Sequence, residues 1–234
     1  MFNWLQLSDN ELQALRLSLD VALRSTLFNL PLAITLAWIL TRKRFVGRML
    51  VDSIVHLPLV LPPVVIGYLL LLLFGVHGVV GSWLLRHFDL RLAFTRNGAA
   101  LATAVMSLPL MVRSIRIALE GVDRGLEDAA RTLGAGSVDR FCTITLPLIL
   151  PGIVAGLITS YAAGLGEFGA VITFVGNVPG ETQTLALALY AALQLTNGEQ
   201  VATHLASISI VLGVVGLLFS EWLSRAVRRK LGQL

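Results

Sequence analysis

The sequence predicts an all-α protein, a polytopic transmembrane helical bundle of about five spans in which a sixth is possible. Of its 234 residues, 56% are hydrophobic and 14% are charged, and the mean hydropathy is +0.80. A soluble domain carries roughly 25% charged residues. The apolar residues fall in long runs, and a helix needs roughly 20 apolar residues to cross a bilayer. Lys and Arg cluster beside these runs, as they do in membrane proteins.

Five apolar runs predict the spans. They cover residues 17–40, 53–75, 98–117, 147–166 and 201–223. Ser8 and Glu11 have the spacing of a capping box, which predicts that a helix begins there. We expect a short interfacial helix within residues 76–98 and a surface helix over 185–195, because neither stretch has enough apolar residues to cross.

The distribution of basic residues predicts the orientation of the chain. With the N-terminus outside, the three inner segments hold 13 of the 18 Lys and Arg residues, as the positive-inside rule requires. The sequence thus predicts a periplasmic segment over residues 1–16, a membrane domain over 17–223 and a basic cytoplasmic tail over 224–234. The membrane domain includes a polar cytoplasmic loop over 118–145. Because the basic residues lie only in short clusters beside spans, the net charge of +4 does not indicate a nucleic-acid partner.

The sequence contains no pattern that indicates an intrachain disulfide, a metal site, a P-loop or a catalytic site. The single cysteine, Cys142, cannot form an intrachain disulfide, and the four histidines have no metal-ligand spacing. Neither Lys43 nor Lys230 stands in a P-loop, because Ser or Thr follows neither of them. No nucleophile, base and acid fall into a catalytic pattern. We therefore expect a protein that is not an enzyme and holds no cofactor, so that any ATP must be bound by another chain.

The cytoplasmic loop has the composition of a short exposed helix. Glu127 and Arg131 are four residues apart with the acid first, the favourable order for a helical ion pair. Ala129 and Ala130 favour helix and leave a smooth face, and Gly134 can end the helix in a left-handed turn. Such a helix could dock on a partner or be an ordinary solvated loop helix, and charge pattern alone favours the second interpretation.

Two stretches of the apolar runs are candidates for a pathway or gate. Their residues are Pro58, Pro62, Pro63, Glu167, Phe168 and Gly169. Three prolines within one span disturb its helix and favour a position in the bundle interior or beside a pathway. An acid at membrane depth is a functional candidate. A carboxylate would nevertheless repel an anion, so a structural role for Glu167, either pairing with an arginine or capping a turn, is favoured over a gate. The Gly-rich stretch that follows could re-enter the membrane or extend the helix.

One spacing in the loop resembles a known motif. An acid and two alanines are followed after three residues by Gly, and after nine more by Ile-x-Leu-Pro. This resembles the cytoplasmic EAA loop of ABC importer permeases. The proline-rich stretch HLPLVLPPVVIGYLLL and the stretch LGEFGAVITFVGNVPGET narrow the resemblance to the oxyanion branch of that family. Within that branch, the molybdate permeases are the most similar.

The resemblance implies a type I importer fold in a bacterial inner membrane, with two copies of the chain forming the pore. It also implies two copies of a P-loop ATPase on the cytoplasmic loops and a periplasmic binding protein that delivers the oxyanion. Residues implied to couple to the ATPase are Glu127, Asp128, Ala129, Ala130, Gly134, Ile144, Leu146 and Pro147. The family's common Glu is Asp128 here, with Glu127 just before it, so either acid could meet the ATPase.

Other functions remain open at this point. A permease for sulfate, thiosulfate or tungstate would have a similar sequence. An ion-coupled secondary transporter is a different class, but the spans carry almost no paired ionisable residues for a proton or sodium route, and no inverted repeat is evident.

Overall fold

A computed structural model describes residues 8–230, and within this range the ordered elements are all helices. The α-helices are α1 (Asp9–Arg42), α2 (Arg48–His56), α3 (Pro63–Phe74), α4 (Val79–Phe88), α5 (Arg96–Glu120), α6 (Arg124–Thr132), α7 (Ser137–Arg140), α8 (Leu146–Leu165), α9 (Gly169–Val175), α10 (Leu185–Leu193) and α11 (Glu199–Lys230). A 3₁₀ turn at Leu57–Leu59 follows α2, and a π-helical segment at Phe141–Thr145 joins α7 to α8. The predicted N-terminal segment and basic tail include residues 1–7 and 231–234, which lie outside the described residues.

The expected number of spans agrees with the structure. Among the described residues, four helical runs are long and apolar enough to cross a membrane. They are Asp9–Arg42, Arg96–Glu120, Ser137–Leu165 and Glu199–Gly216. A bent pair formed by Arg48–Leu59 and Pro63–Phe74 provides a fifth span if it is counted as one. The prediction of an all-α bundle of about five spans is confirmed.

The first helix begins at the predicted capping box. Ser8 N–H donates to Glu11 Oε2 at 2.8 Å, and Glu11 N–H donates to Ser8 Oγ at 3.4 Å. These two bonds satisfy backbone donors that the first helical turn leaves free. The helix therefore starts at Asp9, well before the span predicted from residue 17.

Helices α1, α5 and α8 form the centre of the bundle. α1 and α5 run in the same direction, and buried Asn29 joins them by donating to Ala104 O at 2.9 Å and to Ser107 Oγ at 3.1 Å. α8 runs the opposite way, and a Cβ added at Gly152 would overlap with Ala118 Cβ on α5. Such small residues let membrane helices approach closely. We call the end of the bundle that contains α6 the loop end, and the other the far end.

The second predicted span is not a single helix, and the interruption that its prolines predict is present. The helical segment starts earlier, at Arg48, and the axes on the two sides of the break differ by 114°. Pro62 lies in the break and Pro63 is the first residue of α3. A proline lacks the backbone donor that would continue a helix. The direction then changes because α3 packs against α9 rather than continuing along α2.

Helical structure continues through the last part of the predicted loop at 118–145. The run Ser137–Leu165 is one continuous candidate span. Residues 137–145 are polar in part but contain neither Gly nor Pro, so the helix extends beyond its apolar part. The loop that remains covers residues 121–136 and contains α6.

Short helices complete the far end. Residues after α8 do not extend it but form the separate helix α9, which lies against α3 so closely that a Cβ at Gly67 would be 2.6 Å from Ala170 O. The surface helix predicted over 185–195 is α10, and Leu185 N–H at its start donates to Ser18 Oγ on α1 at 2.7 Å. The interfacial helix predicted before the third span is α4. Both predicted short helices are confirmed.

Replacing Gly152 by Ala should destabilise the folded chain by about 1–3 kcal/mol, because the added methyl group has no room between α5 and α8. The measurement is thermal unfolding in detergent, followed by circular dichroism. Gly213→Ala on α11 is the matched control, since no atom lies within 4 Å of its added Cβ, and its Tm should be unchanged or raised. Equal Tm values for the two variants would contradict this packing.

Candidate functional site

Helix α6 projects from the loop end and buries none of its residues. It begins at Asp123, whose Oδ1 accepts the N–H of Gly125 at 2.8 Å. Leu126 is 49% exposed and Leu133 is 88% exposed, and Ala129 is exposed beside them. Large apolar side chains this exposed at the polar end of a bundle are typical of a surface that a partner covers.

Gly134 ends this helix in the left-handed turn that the sequence predicts. Its φ is +87°, a conformation that side-chain-bearing residues rarely adopt. Ala135 N–H donates to Ala130 O at 3.0 Å, and Gly134 N–H donates to Arg131 O at 3.1 Å. These bonds satisfy carbonyls that the last helical turn leaves free. The turn sends the chain sharply back towards α7.

Glu127 ties α6 to the membrane helices. Its Oε1 accepts a hydrogen bond from Arg42 Nη2 at 2.9 Å and another from Thr145 Oγ1 at 2.9 Å. The Arg42 side chain is only 10% exposed, and Thr145 is buried. The predicted ion pair of Glu127 with Arg131 is therefore wrong. A part-buried, charge-assisted contact with two helices outweighs an exposed pair within one turn.

The neighbouring carboxylates of Glu127 and Asp128 lie in different surroundings. Glu127 is engaged by Arg42 and Thr145, whereas Asp128 is exposed on the outer side of α6. Ala130 is half-buried between the two faces. The outer face therefore carries one free carboxylate with small and apolar neighbours.

The last three residues of the motif do not lie on α6. Ile144 is half-buried in the π-helical segment, and Leu146 packs against the buried core at the loop end. Pro147 is exposed in the first turn of α8, where a missing backbone donor costs little. The motif thus has two parts, one on the outer helix and one at the base of the span behind it.

The arrangement of α6 suits the transfer of a displacement. A hydrogen bond to a charged group contributes on the order of 1.5–3 kcal/mol, and Glu127 makes two, to α1 and to the segment that begins α8. A push on the outer face of α6 therefore acts on two of the three central helices.

Two of the pathway candidates, Pro63 and Gly169, meet where their helices begin. A Cβ added at Gly169 would lie 2.7 Å from Pro63 Cβ, so the start of α9 touches the start of α3. Glu167 Oε1 accepts the N–H of Ala170 at 2.9 Å and so caps α9, which is one of the two structural roles expected of it. The Phe168 ring lies 5.1 Å from the Tyr190 ring of α10.

The three prolines have different positions. Pro58 is buried in the 3₁₀ turn, whereas Pro62 and Pro63 are exposed at the break. Irregular backbone at membrane depth is tolerated where protein buries it or where it lines a water-filled cavity. At the break between α2 and α3, Pro58 is packed within the protein, whereas Pro62 and Pro63 are open on its surface.

Some residues that make side-chain contacts at the loop end could not be identified from the sequence. In the sequence, Arg42 is one of many basic residues beside the spans, and Thr145 carries no signal of its contact with Glu127. A second network joins α2 to α5, where Arg116 Nη1 donates to Asp52 Oδ1 at 2.9 Å and Arg116 Nε donates to Glu120 at 3.1 Å. The sequence offers one sign of this network, which is that Asp52 and Glu120 lie next to the ends of two predicted spans. Within residues 8–230, no group of three or more His, Cys, Asp or Glu side chains is arranged to hold a metal ion.

Comparisons with known proteins identify the family. Residues 29–229 match the model of the family described as binding-protein-dependent transport system inner membrane component. The chain is 55% identical over 227 residues to the molybdenum transport system permease protein ModB of Escherichia coli K12, covering 97% of this chain and 99% of that protein. It is 52% identical to ModB of Haemophilus influenzae, covering 95% and 97%. The sulfate transport system permease protein CysT of Escherichia coli K12 is 39% identical, covering 88% and 74%.

Solved structures show the same fold. A bacterial ABC transporter involved in the import of alginate superposes with a TM-score of 0.75 at 22% identity, covering 94% of this chain and 80% of that one. The alginate transporter in complex with a periplasmic protein gives the same TM-score at 23% identity and the same coverage. The family model matches residues 29–229. The apolar helices and the exposed α6 with its Gly134 turn are consistent with that match. The chain therefore belongs to the family of inner membrane components of binding-protein-dependent transport systems.

Proposed function

We propose that the chain is the pore subunit of an ATP-driven importer that translocates molybdate across the inner membrane. The observation that carries the choice of substrate is the 55% identity, over nearly the whole of both chains, to a molybdenum transport permease. Identity to the sulfate permease is lower, at 39%, and covers 74% of that protein. The chain is a transport permease and not itself an enzyme, so a partner subunit hydrolyses the ATP.

The proposed assembly contains two copies of this chain, two ATPase subunits and a periplasmic protein that binds the oxyanion. Its N-terminus lies outside and its C-terminus in the cytoplasm, which places the loop end on the side where ATP is available. The excess of Lys and Arg in the loop-end segments supports this orientation. The exposed outer face of α6 supports an ATPase contact.

In this assembly, α6 is the coupling helix. The ATPase contacts Asp128, Ala129 and Leu133 on the outer face, and the Glu127 contacts transmit its movement to α1 and to the base of α8. Closure of the ATPase on ATP then shifts the equilibrium between two arrangements of the bundle, because the docked helix interacts differently with each. Ile144, Leu146 and Pro147 act from behind α6, by fixing the helix that receives the movement.

The seam between the two helix breaks is the proposed place for the gate. Pro63 and Gly169 allow α3 and α9 to touch there, and Glu167, Phe168 and the other prolines hold the two breaks in shape. Helices that are already interrupted can change direction without losing further backbone hydrogen bonds. The anion would pass along the seam without coordination by Glu167, whose carboxylate is capped onto α9.

Gly134→Glu should abolish co-purification of the ATPase, because any side chain strains the left-handed turn and a carboxylate enlarges the docking face. The measurement is a pull-down of the tagged chain from detergent-solubilised membranes with mass spectrometry of its partners. Gly136→Glu is the matched control, as both glycines are open to solvent but only Gly134 has a positive φ. If both variants, or neither, lost the ATPase, the docking role of this turn would be refuted.

Substitutions at the two adjacent acids should separate binding from coupling. Asp128→Asn should weaken retention of the ATPase, since it removes the exposed charge of the docking face. Glu127→Gln should keep the ATPase bound but lower molybdate uptake per ATP hydrolysed about tenfold or more, because the contact with Arg42 loses its charge. Both quantities can be measured in proteoliposomes that contain the assembled importer. The opposite pattern would assign the ATPase contact to Glu127.

Cells that depend on this chain for oxyanion import should accumulate molybdenum, and excess sulfate should compete weakly. Accumulated metal is measured by inductively coupled plasma mass spectrometry in a host that lacks its own molybdate importer. ATP depletion should stop uptake, whereas collapse of the proton gradient at constant ATP should not. Preferential sulfate uptake would move the chain to the sulfate branch, and uptake that follows the proton gradient would indicate a secondary transporter.

A further inference from the structure

A cavity of about 590 Å³ opens at the loop end between the end of α1, the start of α2 and the start of α6. It is lined by Thr41, Arg42, Arg44, Arg48, Glu120, Val122 and Arg124. Four of these side chains are arginines, which come from three separate segments of the chain. Neither the coupling contacts nor the proposed gate gives this cavity a role.

Most of the positive charge around the cavity is not balanced within the described residues. Glu120 is the only carboxylate among the lining residues, and Arg116 already binds it at 3.1 Å. Within residues 8–230, no ion pair within 4 Å engages Arg44, Arg48 or Arg124. Three arginines without an ion pair among the described residues, beside one carboxylate that Arg116 already engages, favour an anion.

Two lining residues also carry buried polar atoms without a partner. Arg42 Nε and Thr41 Oγ1 are inaccessible to solvent and make no hydrogen bond with any described residue. Buried donors without a partner are rare because each costs free energy. Arg42 uses Nη2 for Glu127, and the hydrogen-bonding capacity of its buried Nε is unused within the described part of the chain.

Exposed apolar side chains stand next to the arginines. Phe45 is 39% exposed, Val46 104%, Met49 84% and Leu50 64%. They alternate along the chain with Arg44 and Arg48, so cations and apolar surface lie side by side where the chain leaves the membrane. A free inorganic anion would need only the cations, whereas a phospholipid needs both: a phosphate binds the cations and acyl chains cover the apolar surface.

We propose that this cavity binds a phosphate-type oxyanion, and that its source is the headgroup of an anionic phospholipid. The planar forks of Arg44 and Arg48 bind the phosphate oxygens. The acyl chains lie along the exposed apolar row from Phe45 to Leu50. Arg124 extends the site to the first turn of α6, and Arg42 is shared with Glu127, so the bound lipid lies beside the contact that positions α6.

The test is a lipid titration of the full-length chain, purified in lipid-free detergent and followed by native mass spectrometry. Phosphatidylglycerol should bind at least tenfold more tightly than phosphatidylcholine. Arg44→Gln with Arg48→Gln should weaken phosphatidylglycerol binding about thirtyfold, since each arginine near the lipid surface contributes roughly fivefold. Lys43→Gln is the matched control from the same segment. Its ammonium lies 5.0 Å from the centre of the Trp38 ring and outside the cavity lining, so the change should stay under about threefold.

The competing outcomes are distinct. Inorganic phosphate that displaces phosphatidylglycerol from the wild type, but not from the double variant, would support the oxyanion site and identify a free anion as its source. Equal binding of the two lipids, or a double variant that binds phosphatidylglycerol like the wild type, would overturn the proposal. If the double variant does not fold, Arg124→Gln on the opposite wall serves instead, with an expected fivefold loss.

Discussion

The contact between Arg42 and Glu127 is the constraint on which the position of α6 depends. Helix α6 buries none of its residues, so no hydrophobic packing fixes its position relative to the spans. Its place is set by the flanking turns and by a carboxylate that joins α1 to the base of α8 at 2.9 Å on each side. A helix held in this way can be exposed enough to dock and still be attached firmly enough to move the bundle. Under the proposed coupling role, loss of the contact would leave α6 folded but unable to pass a movement to the bundle.

Behind this contact, the bundle divides into a rigid part and a part that can change shape. α1, α5 and α8 are continuous helices that approach through small residues and a buried amide at Asn29, and close packing resists gradual deformation. The interrupted elements, α2 to α3 and α9, lie at the side of this centre and meet each other at Pro63 and Gly169. Under the proposed mechanism, movement of this centre is accommodated at the seam between the breaks.

Features that depend on neighbouring residues could be predicted from the sequence, whereas contacts between residues far apart in the chain could not. Apolar runs and the capping box of Ser8 are local, so the spans and the start of α1 can be read from the sequence. The left-handed turn at Gly134 is equally local. Arg42 and Glu127 are 85 residues apart, and the local rule instead favours the neighbour four residues away. The prolines predict that the second span breaks, but its 114° bend depends on packing against α9. The helical run that starts at Ser137 could not be read from apolar residues alone, because its first residues are partly polar.

The spacing of the loop motif does not by itself show what each of its two acids contacts. Successive residues in an α-helix point about 100° apart, so Glu127 and Asp128 cannot face the same surface. The structure gives the longer side chain to the inner contact, where it must reach both Arg42 and Thr145, and leaves the shorter one exposed. Reach is needed inside because two separate helices are joined through one carboxylate. In the proposed assembly the ATPase approaches the outer face directly, so a short acid between Ala129 and the apolar side chains of Leu126 and Leu133 suffices there.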